Sequence, residues 1–139
     1  MKTLFLLTFL ITVISCGTSD DDQNPVLPNI PVNVTLNLDL PLYQNLQFDS
    51  SSAFVENHGI KGIIVFRISE NNILAWEAAC PHIAPSECST MNLVGVEITC
   101  PCDDSKFSIL NGGPLSGTQF SMKQYRATKN GNTITITNF

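Results

Sequence analysis

Two short stretches concentrate the residues able to do chemistry. One is Cys80-Pro81-His82, followed by Cys88; the other is Cys100-Pro101-Cys102-Asp103-Asp104-Ser105-Lys106-Phe107. Together they hold four of the five cysteines and one of the two histidines. Thiolate, imidazole and carboxylate are the donors of transition-metal sites, and Cys80, Cys100, His82 and Asp103 make an acceptable zinc set. Cys80 beside His82 also has the makings of a nucleophile and base, although such a pair wants a third group to orient the histidine. Four cysteines in an exported chain have a plainer use, as two disulfides. Asp103 and Asp104 are direct neighbours whose side chains tend to diverge, so they read as a solvated acidic loop. His58, the other histidine, sits in turn composition (Asn57-His58-Gly59) and reads as a solvated turn residue.

Something must hold these stretches together, and the flanking sequence is strand-like throughout. Residues 32–40 alternate apolar and polar with period two, a half-buried strand, and Pro41 ends it. A short strand is expected over 53–56. Residues 61–69 and 73–79 read as a hairpin around Glu70-Asn71-Asn72 that delivers the chain into Cys80. A strand over 94–99 delivers it into Cys100, and 106–110 leaves the second stretch. Asn130-Gly131 between 124–128 and 132–137 is the strongest hairpin signal in the chain. No segment keeps a helical period. The expected fold class is all-β, with antiparallel sheets and two ligand-bearing loops, at about 80–90 and 100–107, projecting from one end.

The spacing Cys80-x-His82, then Cys100-x2-Asp103 with Phe107 following, resembles the Rieske [2Fe–2S] domain, whose motif is C-x-H … C-x2-H-G-x-x-F. The resemblance covers residues 30–139. It implies a base domain plus a small cluster-binding subdomain carrying both loops. It also implies split ligation, with Cys80 and Cys100 on one iron and His82 and Asp103 on the other. Ser105, Phe107 and Pro114 fall where the family surrounds its cluster, Pro114 within the small-residue loop Gly113-Pro114-Leu115-Ser116-Gly117. The high-potential members carry two further cysteines that tie the loops together by a disulfide. Cys102 matches one of them and Cys88 is the other's counterpart in a longer first loop. The resemblance thus implies an electron carrier with a redox protein as partner, and no catalytic domain of its own.

The chain departs from the motif at two places. Asp103 stands for the second histidine and Asp104 for the glycine after it. A carboxylate is a harder, anionic donor, and the glycine usually allows a backbone shape that other residues disfavour, Asp less than most. A second expectation therefore stands beside the cluster: a cluster-free module in which Cys80–Cys100 and Cys88–Cys102 are both disulfides.

The N-terminal sequence sets the compartment. Lys2 precedes an apolar run over 4–14, too short to span a bilayer and suited to a signal-peptide core. It ends in Val13-Ile14-Ser15-Cys16-Gly17, which resembles a bacterial lipobox and implies removal of residues 1–15 and acylation of Cys16. Ser19-Asp20-Asp21-Asp22 resembles the surface-export signal of Bacteroidetes lipoproteins, and 16–29 reads as a flexible acidic tether. The expected location is the outer membrane, lipid-anchored and exposed at the cell surface. Loss of Lys2 leaves 6 basic against 12 acidic residues, a formal net charge of −6. That charge argues against nucleic acid as a partner, and no phosphate-binding loop points to a nucleotide. The single lysine, with no twin arginine, marks a secretory signal of the kind that threads unfolded chains.

Overall fold

The run Ile63-Ile64-Val65-Phe66 is apolar on both faces of a strand, and the computed structural model, which describes residues 24–139, shows what each face meets. Ile63 and Val65 point into one core with Leu36, Leu46, Val55, Tyr125, Ile134 and Ile136. Ile64 and Phe66 point into a second, with Trp76, Met91, Ile98, Phe107 and Ile109. A strand buried on both sides loses the polar alternation of a half-wet one. The expected signal peptide, lipidation site Cys16 and acidic export signal lie outside the described residues.

Among the described residues ten strands form two sheets, all paired antiparallel. β1 (Asn33–Asn37), β2 (Ser51–Val55), β3 (Ile63–Ser69), β4 (Asn72–Glu77), β9 (Gln124–Asn130) and β10 (Thr133–Thr137) make the base, in the order β1-β10-β9-β4-β3-β2. β5 (Asn92–Val94), β6 (Glu97–Thr99), β7 (Lys106–Ser108) and β8 (Pro114–Ser116) make a smaller sheet in sequence order. Two short 3-10 turns, Gln44–Gln47 and Glu87–Ser89, complete the described elements. Among the described residues, no helix is long and apolar enough to cross a membrane.

β1 and β10 pair Leu36 with Ile134 and Val34 with Ile136, so the leucine–isoleucine faces share one core while the threonines of β10 stay partly wet. The chain reverses between β9 and β10 through Gly131 and Asn132, with Asn130 already paired to Thr133. The stretch 94–99 is not one strand: β5 and β6 form a hairpin that turns at Gly95, whose φ is +65°. A glycine within a strand pattern marks such a break, and Val94 and Val96 are left exposed on the turn.

The folded part begins before residue 30. Asn24 Nδ2 donates to the Pro81 carbonyl at 2.6 Å, and its Oδ1 accepts from the backbone of Val26 and Leu27. Leu27 is buried, and Lys123 Nζ donates to Asn29 Oδ1. Residues 24–29, expected in the tether, are thus laid against the domain.

Candidate functional site

β4 ends in Glu77, and this residue sets the entrance to the first loop. Its side chain is fully buried inside an otherwise apolar stretch. Oε2 accepts from Tyr125 Oη at 2.6 Å and from the Ile60 amide at 2.7 Å; Oε1 accepts from the amides of Lys61 and Ala79, both at 2.9 Å. Four donors satisfy a carboxylate that burial would otherwise penalise. Tyr125's hydroxyl is pushed far above its ordinary value, first by burial and then by the bond to Glu77 and its charge. Gly59, at φ +68°, lies so close that a Cβ there would press on Glu77 Oε2. Glu77 was not singled out in the sequence; the signal was a lone acid between Ile73-Leu74-Ala75-Trp76 and Ala78-Ala79.

The first loop then closes on itself. Cys80 N donates to the Ser89 carbonyl at 2.8 Å and Met91 N to Ala78 at 2.7 Å, with an Ala79–Thr90 bridge between them. The second loop is a tight turn between β6 and β7: Cys100 N donates to Ser105 O at 2.8 Å and Asp104 N to Cys100 O at 2.9 Å. The turn puts Asp104 in the left-handed region, φ +61°. A glycine would adopt that conformation at no steric cost, and Asp is among the side chains that tolerate it.

The loops meet at their cysteines. Cys80 and Cys100 form a disulfide, with Cα atoms 5.6 Å apart, and both residues are completely buried. Cys88 and Cys102 form a second, Cα atoms 5.1 Å apart; Cys88 is exposed and Cys102 half-buried. Ser86 Oγ lies 3.5 Å from Cys88 Sγ and 3.9 Å from Cys102 Sγ.

His82 and Asp103 also meet. His82 Nε2 and Asp103 Oδ2 are 2.7 Å apart, and Ser105 Oγ donates to the same carboxylate oxygen at 2.8 Å. The Ser105 amide donates to Asp103 Oδ1 at 3.1 Å. The bond to His82 holds the Asp103 carboxyl below its ordinary range; slight desolvation opposes this and the Ser105 hydrogen bonds add to it. Phe107 packs at a tilt against the His82 ring, centroids 6.2 Å apart. Pro114 opens β8 opposite Phe107. Gly117, at φ +86°, passes so close to Ser105 that a Cβ there would overlap its side chain. Trp76 Nε1 donates to the Ile109 carbonyl at 2.8 Å, and its ring lies where a Cβ on Gly112 would be. His58 stays exposed in its own turn, Nδ1 on the Glu56 carbonyl.

A [2Fe–2S] cluster needs two thiolates and two further lone-pair donors. The residues as they stand do not fit it. The two thiols are bonded to each other, and a 2.7 Å hydrogen bond joins the imidazole and carboxylate that would both have to face iron. His82 Nδ1 is the one group left over: it is buried and has no hydrogen-bond partner.

Base sheet, small sheet and paired loops define a Rieske-type all-β fold. Among solved structures, the chain is similar to the ferredoxin of carbazole 1,9a-dioxygenase from Nocardioides aromaticivorans IC177. The identity is 19%, the match covers 80% of this chain and 100% of that one, and the TM-score is 0.50. It is similar also to a chain in the complex of reduced oxygenase and oxidized ferredoxin in carbazole 1,9a-dioxygenase, at 18% identity, 76% and 93% coverage and a TM-score of 0.51. At these identities the likeness is one of fold. No protein-family model matches the chain, and no curated protein matches it in sequence.

Proposed function

We propose that this protein is a non-catalytic, lipid-anchored module of the bacterial cell surface. In this reading its Rieske-type domain fastens its two loops with disulfides in place of a cluster and presents them to a partner. The observation that carries the reading is the Cys80–Cys100 disulfide, formed by the two residues that would otherwise hold one iron. Two features of the chain support it. Asp103 stands where the motif has an imidazole, and it is engaged by His82 and Ser105. The secretory signal delivers an unfolded chain to an oxidising compartment, where disulfides form and a cluster would have to be acquired from outside. The fold likeness to a ferredoxin that is found with an oxygenase directs the search for a partner to redox proteins.

A second reading is favoured by one observation, the unpartnered His82 Nδ1. Here the protein is a one-electron carrier with a [2Fe–2S] centre on Cys80, Cys100, His82 and Asp103, and the Cys80–Cys100 bond is open.

Intact mass, iron content and thiol content of protein purified from the cell envelope separate the two. The cluster-free reading expects colourless protein, no iron, and no alkylatable thiol at positions 80, 88, 100 or 102. About two irons per chain with visible absorbance would overturn it. An Asp103→His variant expressed in the cytoplasm then asks whether restoring the imidazole suffices for iron uptake.

A further inference from the structure

The two disulfides differ in access but lie side by side. Cys80 and Cys100 are completely buried, so a thiol in solution has no path to their bond. Cys88 is exposed, and the bond it makes is to Cys102. The sulfur atoms of Cys80, Cys100 and Cys102 all lie within 4.8 Å of one another. Cys102 therefore belongs to the outer disulfide and keeps its sulfur within 4.8 Å of both sulfurs of the inner one.

We propose that the pair is a disulfide relay, through which an external dithiol reduces the buried bond by way of the exposed one. This rests on the cluster-free reading, since it needs both disulfides. One thiolate of the dithiol attacks Cys88 Sγ, forming a mixed disulfide and breaking Cys88–Cys102. Cys102 leaves as a thiolate beside the Ser86 hydroxyl, which is placed to donate to either sulfur of that bond. A hydrogen bond to the anion makes it a better leaving group. Cys102 then attacks Cys80 Sγ, forming Cys80–Cys102 and expelling Cys100. Attack on Cys100 instead would close a disulfide across the single residue Pro101, whose ring fixes φ. The departing Cys100 sulfur has a ring nitrogen of His82 within 4.8 Å. The second thiol of the dithiol resolves the mixed disulfide, leaving as a cyclic or intramolecular disulfide and freeing Cys88. Two electrons pass from the dithiol to the protein, and its two protons end on Cys88 and Cys100. The half-reduced chain keeps one disulfide, Cys80–Cys102.

The partner class follows from this chemistry: a dithiol, protein or small molecule, that meets the exposed Cys88 edge of the loops. The test uses the full chain and dithiothreitol. Iron and thiols are measured first; iron, or free thiols at positions 80 and 100, would overturn the cluster-free reading itself. Protein that passes is given one equivalent of dithiothreitol, quenched in acid to stop exchange, alkylated after unfolding and peptide-mapped. The relay predicts that the half-reduced species is labelled on Cys88 and Cys100 and carries a Cys80–Cys102 linked peptide. Label on Cys88 and Cys102 with Cys80–Cys100 intact would overturn the relay and leave the underlying reading standing. Loss of Cys80–Cys100 while Cys88–Cys102 persists would do the same. No substitution is required, so the outcome does not depend on a variant folding.

Discussion

The base and the loop-bearing end of this molecule solve the same problem by different means. In the base, strands of five to seven residues pair in a six-stranded sheet over a core of large aliphatic side chains. In the smaller sheet every strand has three residues, too short for pairing alone to hold. Its core includes Cys80 and Cys100 themselves. The base fixes its geometry by burial and by one saturated carboxylate, Glu77. The loop end fixes its geometry covalently. What the contrast teaches is that the shared strands β3 and β4 carry one sheet's order into the other only as far as Ala79; beyond that point the disulfides take over.

The variant expected to have the largest effect removes the polar anchor of the base. Glu77→Ala strands the buried Ala79 amide, the part-buried amides of Ile60 and Lys61 and the buried Tyr125 hydroxyl, at ~1–3 kcal/mol for each group not rescued by water. Urea unfolding should show a loss on the order of 3–5 kcal/mol and a destabilised first loop as well, because Ala79 is one of the donors. A loss below about 1 kcal/mol would mean that the base does not depend on Glu77.

Next comes the inner disulfide. Cys80→Ala with Cys100→Ala opens a link between residues 20 apart in sequence and removes sulfur atoms from a filled core. The unfolding free energy should fall by roughly 3–4 kcal/mol. Cys88→Ser with Cys102→Ser opens a link between residues 14 apart at the surface, and the expected loss is about 2–3 kcal/mol. If the outer pair cost more than the inner, the loop end would be held from its rim and not from its core.

The smallest effect belongs to Asp103. Its carboxyl is held below its ordinary value of 3.8, first by His82. A depressed carboxyl contributes stability that is present above the unfolded value and is lost as pH falls below about 3.8 and through the folded one. Asp103→Asn should therefore flatten the acid limb of a stability–pH curve below pH ~4, leaving the plateau at neutral pH almost unchanged because the group is largely exposed. An NMR titration of the wild-type carboxyl reads the same shift directly.

Much of the base was legible because period-two patterning and turn residues are local signals. The alternation Val34, Leu36, Leu38 and the Asn130-Gly131 turn each specify their own neighbourhood. The meeting of the loops was legible for a different reason: two ligand-rich turns separated by a span long enough for a pair of strands can close on one another, and in the structure Cys80 meets Cys100 and His82 meets Asp103. What was not legible depends on neighbours remote in sequence. Glu77 looks like a solvent-facing strand residue until the turn at 57–62 and Tyr125 are folded over it. Arg67, inside another apolar strand, is buried because its guanidinium reaches Asp49 Oδ1 at 3.0 Å and the Leu46 carbonyl at 2.9 Å. The hairpin at Gly95 hid within an alternating stretch, Val94-Gly95-Val96-Glu97-Ile98-Thr99, that a single strand fits equally well.

The hydrogen bond from Asn24 to the Pro81 carbonyl has a consequence for reach. It ties the start of the folded chain to the first loop, at the end of the molecule that carries both disulfides. Eight peptide steps separate Cys16 from Asn24, and even fully extended they span at most about 29 Å. In a chain lipidated at Cys16, the leash would therefore be attached at the loop end and would be short. The loops would work within one small protein's diameter of the bilayer, and the partners best able to meet them would be those confined to the same thin layer.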